Sequence, residues 1–162
     1  MQMQTPSLSI TGLRYLLQKK GWIDIPSSGT SMYPLIKEGD ICRFIPLSPA
    51  EKINMGDIIL FLSDHERLIG HRYIKSFAEG ESVYCIFKGD MNAHPDPPVE
   101  RSRLIGRLAL IKKRSFHLNP DGMLPRLWGA LVLAIPGFPR KCRTYLALQD
   151  KVRRWGKERR HA

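Results

Sequence analysis

Residues 67–90 read RLIGHRYIKSFAEGESVYCIFKGD. Two runs crowded with β-branched and aromatic side chains, 67–77 and 82–90, are divided by a short polar stretch containing a glycine, which is the texture of β-strands. The same texture extends outward, through DICRFIP (40–46) and GDIILFL (56–62) on one side and RLIGRLALIKK (103–113) on the other. Each run is bounded by Gly, Pro, Asp or Ser, so residues 22–118 predict one compact, mainly β module.

The flanks read differently. In residues 1–21, Leu13, Leu16 and Leu17 precede a Lys19-Lys20-Gly21 stop. They predict a short amphipathic helix whose two lysines meet the negative end of its dipole. After Asn119 the β texture ends, and NPDG (119–122) reads as a turn into the apolar run LWGALVLAIPGF (127–138). For that run a buried core helix and a shallow interfacial element both remain open. Over 140–157 a final helix is expected, with Tyr145, Leu148, Val152 and Trp155 on one face and Arg and Lys around the rest. Residues 119–162 thus form an apolar segment and a basic amphipathic helix.

A chain of 162 residues suits a single module and excludes a large two-domain enzyme. Its 26 Lys and Arg against 15 Asp and Glu give a net charge of +11. Residues 139–162 concentrate the excess, with nine basic residues against Asp150 and Glu158. An anionic neighbour is therefore expected, an anionic membrane surface before nucleic acid, beside the alternative of a simply solvated helix. Cys42, Cys85 and Cys142 are odd in number and widely spaced. They suggest neither a disulfide framework nor a zinc site, and a reducing compartment suits them. No apolar run approaches the ~20 residues of a spanning helix, so no transmembrane segment is expected. Nor is a secretory signal peptide, because no charged start leads into an apolar core.

Three stretches carry possible chemistry. SGTSMYPLIKEGD (28–40) supplies a glycine-permitted turn from which Ser31 could project as a nucleophile, with backbone N–H groups near an oxyanion. Taken alone, it is also an ordinary loop. In LIGHRYIKSF, strand alternation puts His71, Tyr73 and Lys75 on one face, making His71 a candidate general base and Lys75 a rival. FKGDMNAHPDPP places Asp90 and Asp96 on a polar loop, where either carboxylate could orient a catalytic imidazole. His94 has no second metal ligand at a useful spacing, so no metal site and no cofactor are expected.

Taken in order, these boxes make the chain resemble the signal peptidase family of serine endopeptidases. SGTSMYPLIKEGD is similar to the family's nucleophile box, GDIILF to its strand box, HRYI to its general-base box, and KGDMNAHPD with IGRL to its final box. Together they cover residues 26–111. The resemblance implies a coiled β-sheet or partly open barrel, of the type shared with the self-cleaving repressors, with a short N-terminal helix and a C-terminal α-helical tail. Histidine at position 71, where bacterial-type members have lysine, points to the endoplasmic-reticulum subtype. In that subtype a second aspartate stands six positions after the Lys-Gly-Asp, so the resemblance implies a triad of Ser31, His71 and Asp96, with Asp90 in support. The oxyanion donors are then Ser31 itself and a hydroxyl residue. Gly29 occupies the place where that subtype usually has the hydroxyl, so Ser28 and Thr30 are the candidates.

The expected substrate is a precursor peptide or protein. It would bind in extended form beside 23–27 and touch Ile25, Pro26 and Met32. Family members that process exported precursors are membrane-tethered; with no anchor expected here, the site is expected in the cytoplasm or at the inner face of the membrane. Two other readings share the same residues: a self-cleaving, repressor-like regulator, and an inactive relative that binds peptides. The first would normally use lysine as its base and carry an N-terminal DNA-binding module, for which the 30 residues before Ser31 leave little room.

Overall fold

The structure, a computed structural model, describes residues 10–48 and 50–135. The basic helix expected over 140–157 and Cys142 lie outside the described residues. In chain order the elements are α1 (Ile10–Lys20), β1 (Ile23–Pro26), β2 (Ile41–Pro46), β3 (Ile58–Leu62), β4 (Leu68–Glu79) and β5 (Ser82–Lys88). They are followed by β6 (Val99–Glu100), a 3₁₀ turn (Arg101–Arg103), β7 (Leu104–Lys112), β8 (His117–Leu118) and α2 (Met123–Ala134). All five runs expected to be strands are strands. The two-residue strands β6 and β8 are too short to leave a pattern in the sequence.

The strands pair antiparallel in the order β1-β2-β7-β3-β4-β5-β6, with β8 beside β7, and the sheet coils into a half-barrel. Register shifts at Arg43/Phe44, Leu60/Phe61 and Tyr73/Lys75 mark bulges, which bend strands and increase their twist. The molecule is therefore mainly β with a helix at either end, as the sequence implies.

β3 lies between β7 and β4, and its residues feed two apolar clusters by alternation. Ile58, Leu60 and Leu62 join Phe44, Leu108, Ile111 and Leu17 on one side. Ile59 and Phe61 join Tyr73, Cys85, Phe87 and Leu104 on the other. Phe61 stacks on Phe87 with ring centroids 4.6 Å apart. Burial on both faces explains why IILFL is an unbroken apolar run.

α1 seats Leu17 in the larger cluster, with Ile10 and Leu13 packed against it, while Leu16 stays largely exposed. The helix ends where the Gly21 N–H bonds to the Leu17 carbonyl, at 2.8 Å. Arg14 ties it to the sheet by donating to the carbonyls of Leu104, at 3.0 Å, and Ser102, at 2.6 Å. α2 starts directly after the NPDG turn, in which the Gly122 N–H bonds to the Asn119 carbonyl. It buries Pro125, Gly129 and Val132 and leaves Leu124, Leu127 and Leu131 exposed. The apolar run is thus not a buried core helix: one side packs on the sheet and the other faces outward. Among the described residues, no helix is long and apolar enough to cross a membrane.

Candidate active site

The site is assembled from three segments that the sheet topology brings together. The first is the turn leaving β1. There Gly29 holds φ +81°, a conformation that a Cβ disfavours, and the Tyr33 N–H bonds to the Thr30 carbonyl. This turn presents Ser31, half-buried, while Met32 behind it is buried in the larger core cluster. The second segment is β4, which carries His71. The third is the loop after β5, tied down where the Asp96 N–H bonds to the Phe87 carbonyl and the Met91 N–H bonds to the Ser31 carbonyl, both at 2.8 Å.

His71 connects the other two. Its Nδ1 lies 2.6 Å from Asp96 Oδ2, and its Nε2 lies 2.9 Å from Ser31 Oγ. With Asp96 ionised, Nδ1 carries the proton and donates it to the carboxylate, which leaves Nε2 as a lone pair facing the serine hydroxyl. The Ser31 hydroxyl then donates to Nε2, the alignment that lets an imidazole take a proton as the serine oxygen attacks. His71 is 6% exposed, and Phe61 packs on its ring edge to face at 6.4 Å, so the imidazole itself is largely buried. Gly89 presses on the same ring: a Cβ at that position would stand 3.0 Å from His71 Nε2. Its role follows only from the folded geometry, since Lys-Gly-Asp is otherwise an ordinary turn sequence.

Lys75 does not share the face of His71. The bulge after Tyr73 inserts one residue, which breaks the alternation, and Lys75 emerges exposed. Asp90 also points elsewhere. It is fully buried and takes bonds from Arg72 Nε at 2.6 Å, Arg72 Nη2 at 3.1 Å and the indole N–H of Trp128 at 2.8 Å. Asp96, not Asp90, is the carboxylate at the imidazole.

A cleft of about 460 Å³ opens over Ser31. It is lined by residues 25–29 within and after β1, by Arg67 to Gly70 leading into β4, and by the apolar Met32, Ile36, Cys42, Phe44 and Leu60. All three expected substrate contacts, Ile25, Pro26 and Met32, therefore line it. Ser28 lines it as well, whereas Thr30 does not. Among the described residues the Ser31 amide donates to no acceptor, so it is available to an oxyanion.

Cys42 is not a rival nucleophile. Burial pushes its thiol up to about 12, with the nearby Asp40 charge acting in the same direction, so it stays protonated at neutral pH. His94 is exposed, and among the described residues no group of three His, Cys, Asp or Glu is arranged to hold a metal ion. No protein-family model matches the chain, and no curated protein matches it significantly.

Proposed function

We propose that the protein is a serine endopeptidase of the signal peptidase kind, which removes leader or signal segments from peptide precursors. The observation that carries this reading is the continuous chain Ser31 Oγ, His71 Nε2, His71 Nδ1, Asp96 Oδ2, with links of 2.9 and 2.6 Å, whose three residues all line an open cleft. Ser31 attacks the scissile carbonyl as His71 takes its proton. His71 returns that proton to the leaving amine, and a water activated by the same imidazole hydrolyses the acyl-enzyme. The Ser31 amide and Ser28 stabilise the oxyanion.

The walls of the cleft support an extended substrate. β1 is the terminal strand of the sheet, and β4 residues before Arg72 pair only with β3. A peptide laid between these two edges gains backbone hydrogen bonds, and the apolar floor accepts its side chains. The positive charge and the outward apolar side chains of α2 support work at the inner face of an anionic membrane.

The reading is tested by incubating the protein and a Ser31→Ala variant with candidate leader peptides and reading the products by mass spectrometry. Cleavage by the wild type alone is expected. Equal cleavage by both proteins, or none by either across a broad peptide library, overturns the reading.

A further inference from the structure

The catalytic scheme leaves a second polar cluster without a role. Arg72 follows His71 on β4, so the two side chains leave the strand on opposite faces. The Arg72 guanidinium forms a nearly dry fork on Asp90; the two side chains are 3% and 0% exposed. Its Nη1 also donates to the Gly56 carbonyl, at 3.0 Å. The fork is uneven: Asp90 Oδ1 receives the 2.6 Å bond, and Oδ2 only the 3.1 Å one. The weaker-held oxygen is the one that accepts the Trp128 indole N–H from α2, at 2.8 Å. The next residue, Gly129, lies flat against the same guanidinium, where a Cβ would stand 2.7 Å from Nη1. Two consecutive residues of α2 thus close over this one ion pair.

The pair is linked to each of the three catalytic groups, through the chain or through one hydrogen bond. Arg72 adjoins His71. Asp90 adjoins Met91, whose N–H holds the Ser31 carbonyl, and heads the loop that carries Asp96. We infer that Trp128 is a positioning residue: its indole N–H completes the buried Asp90 carboxylate and so fixes the loop that sets Asp96 and Ser31 against His71. On this view α2 is part of the active site although no atom of it reaches the cleft. A residue that merely filled space here could be any apolar side chain; a directed N–H on a buried carboxylate oxygen could not be replaced so freely.

The inference rests on the serine-peptidase reading, so the test separates the two. Phosphonylation of Ser31 by an alkyl fluorophosphonate forms an O–P bond with loss of fluoride, while His71 takes the hydroxyl proton. Its rate is read by mass spectrometry on the wild type, on Trp128→Phe, and on a protein with 3-benzothienylalanine at 128, which keeps the ring shape and lacks the N–H. The far-downfield proton resonance of the His71–Asp96 hydrogen bond is recorded alongside, with folded fractions matched by circular dichroism. Both replacements are expected to slow labelling about tenfold, the scale of one hydrogen bond to a charged group, and to shift or broaden the downfield proton. Wild-type rates and an unmoved proton in the benzothienylalanine protein overturn the inference, whatever Trp128→Phe does. Failure of the wild type to label overturns the peptidase reading instead, and the downfield proton still decides the role of Trp128.

Discussion

Asp96 and Asp90 lie six residues apart on one loop and serve different partners, which makes their amide variants diverge. Asp96→Asn keeps the shape and removes the charge that fixes the His71 tautomer. Turnover is expected to fall about 10⁴-fold with the melting temperature nearly unchanged. Asp90→Asn leaves Arg72 buried without its counter-charge and is expected to cost about 3–5 kcal/mol of stability, read by urea unfolding. A reversal of these two phenotypes would move the triad acid to Asp90. Cys42 lines the same cleft but is 4% exposed and held protonated, so brief treatment of the native protein with N-ethylmaleimide should modify neither Cys42 nor Cys85 and leave activity intact. Modification of Cys42 before unfolding, seen in a peptide map, contradicts this. Ser31 and His71 were legible as candidates from their short motifs, whereas the choice of Asp96 over Asp90 came only with the family resemblance. The partners of Asp90 were not legible, because Arg72 lies 18 and Trp128 38 positions away and nothing in the local pattern encodes those contacts.

Among the elements, β1 lines the cleft through Ile25 and Pro26, and among the described residues it pairs with one strand only, β2. Its hold on the sheet is partly electrostatic: Asp24 bonds Arg43 of β2 at 2.8 Å and Lys112 of β7 at 2.6 Å, and the Arg43 guanidinium also lies 3.7 Å from the centre of the Trp22 ring. The hydrogen bond from Arg43, followed by that from Lys112, outweighs burial and holds the Asp24 carboxyl at about 2, below its ordinary 3.8. A lowered folded-state value means that the contribution is whole above pH ~4 and fades as pH falls towards 2. Asp24→Asn should therefore lower stability at pH 7 by about 1 kcal/mol or less, since these charges are solvent-screened. The gap to the wild type should close between pH 4 and 2 in thermal unfolding series, and a gap that persists at pH 2 would assign the effect to packing. The strands were legible from their β-branched and aromatic runs. The bulge at Ile74 was not, because it arises from pairing with β5, and this is why alternation alone misplaced Lys75 beside His71. The inward side of α2 was hidden for a similar reason: a nearly all-apolar helix carries no periodic signal of which side packs.

For the whole molecule the question is what the charge and the outward face of α2 meet. Met123, Leu124, Leu127 and Leu131 are between 38% and 74% exposed on a helix whose only charge is Arg126, and the strongly basic residues 139–162 follow in sequence. Apolar side chains enter a lipid interface whatever its charge, whereas basic residues add attraction only to anionic lipid, about 1 kcal/mol for each near the surface. The two contributions can therefore be separated in a flotation assay with neutral and anionic vesicles. Truncation after Pro139 should weaken binding to anionic vesicles more than tenfold, since even two lost contacts of that size suffice, and should leave the weak binding to neutral vesicles as it was. Leu124→Ser with Leu127→Ser should weaken both, and because both positions are exposed the fold should survive. Added salt should mimic the truncation and not the serine variant. If full-length protein and truncated protein float equally on anionic vesicles at low salt, the basic segment is a solvated helix and the membrane location falls, whereas the peptidase chemistry at Ser31 is untouched by that result.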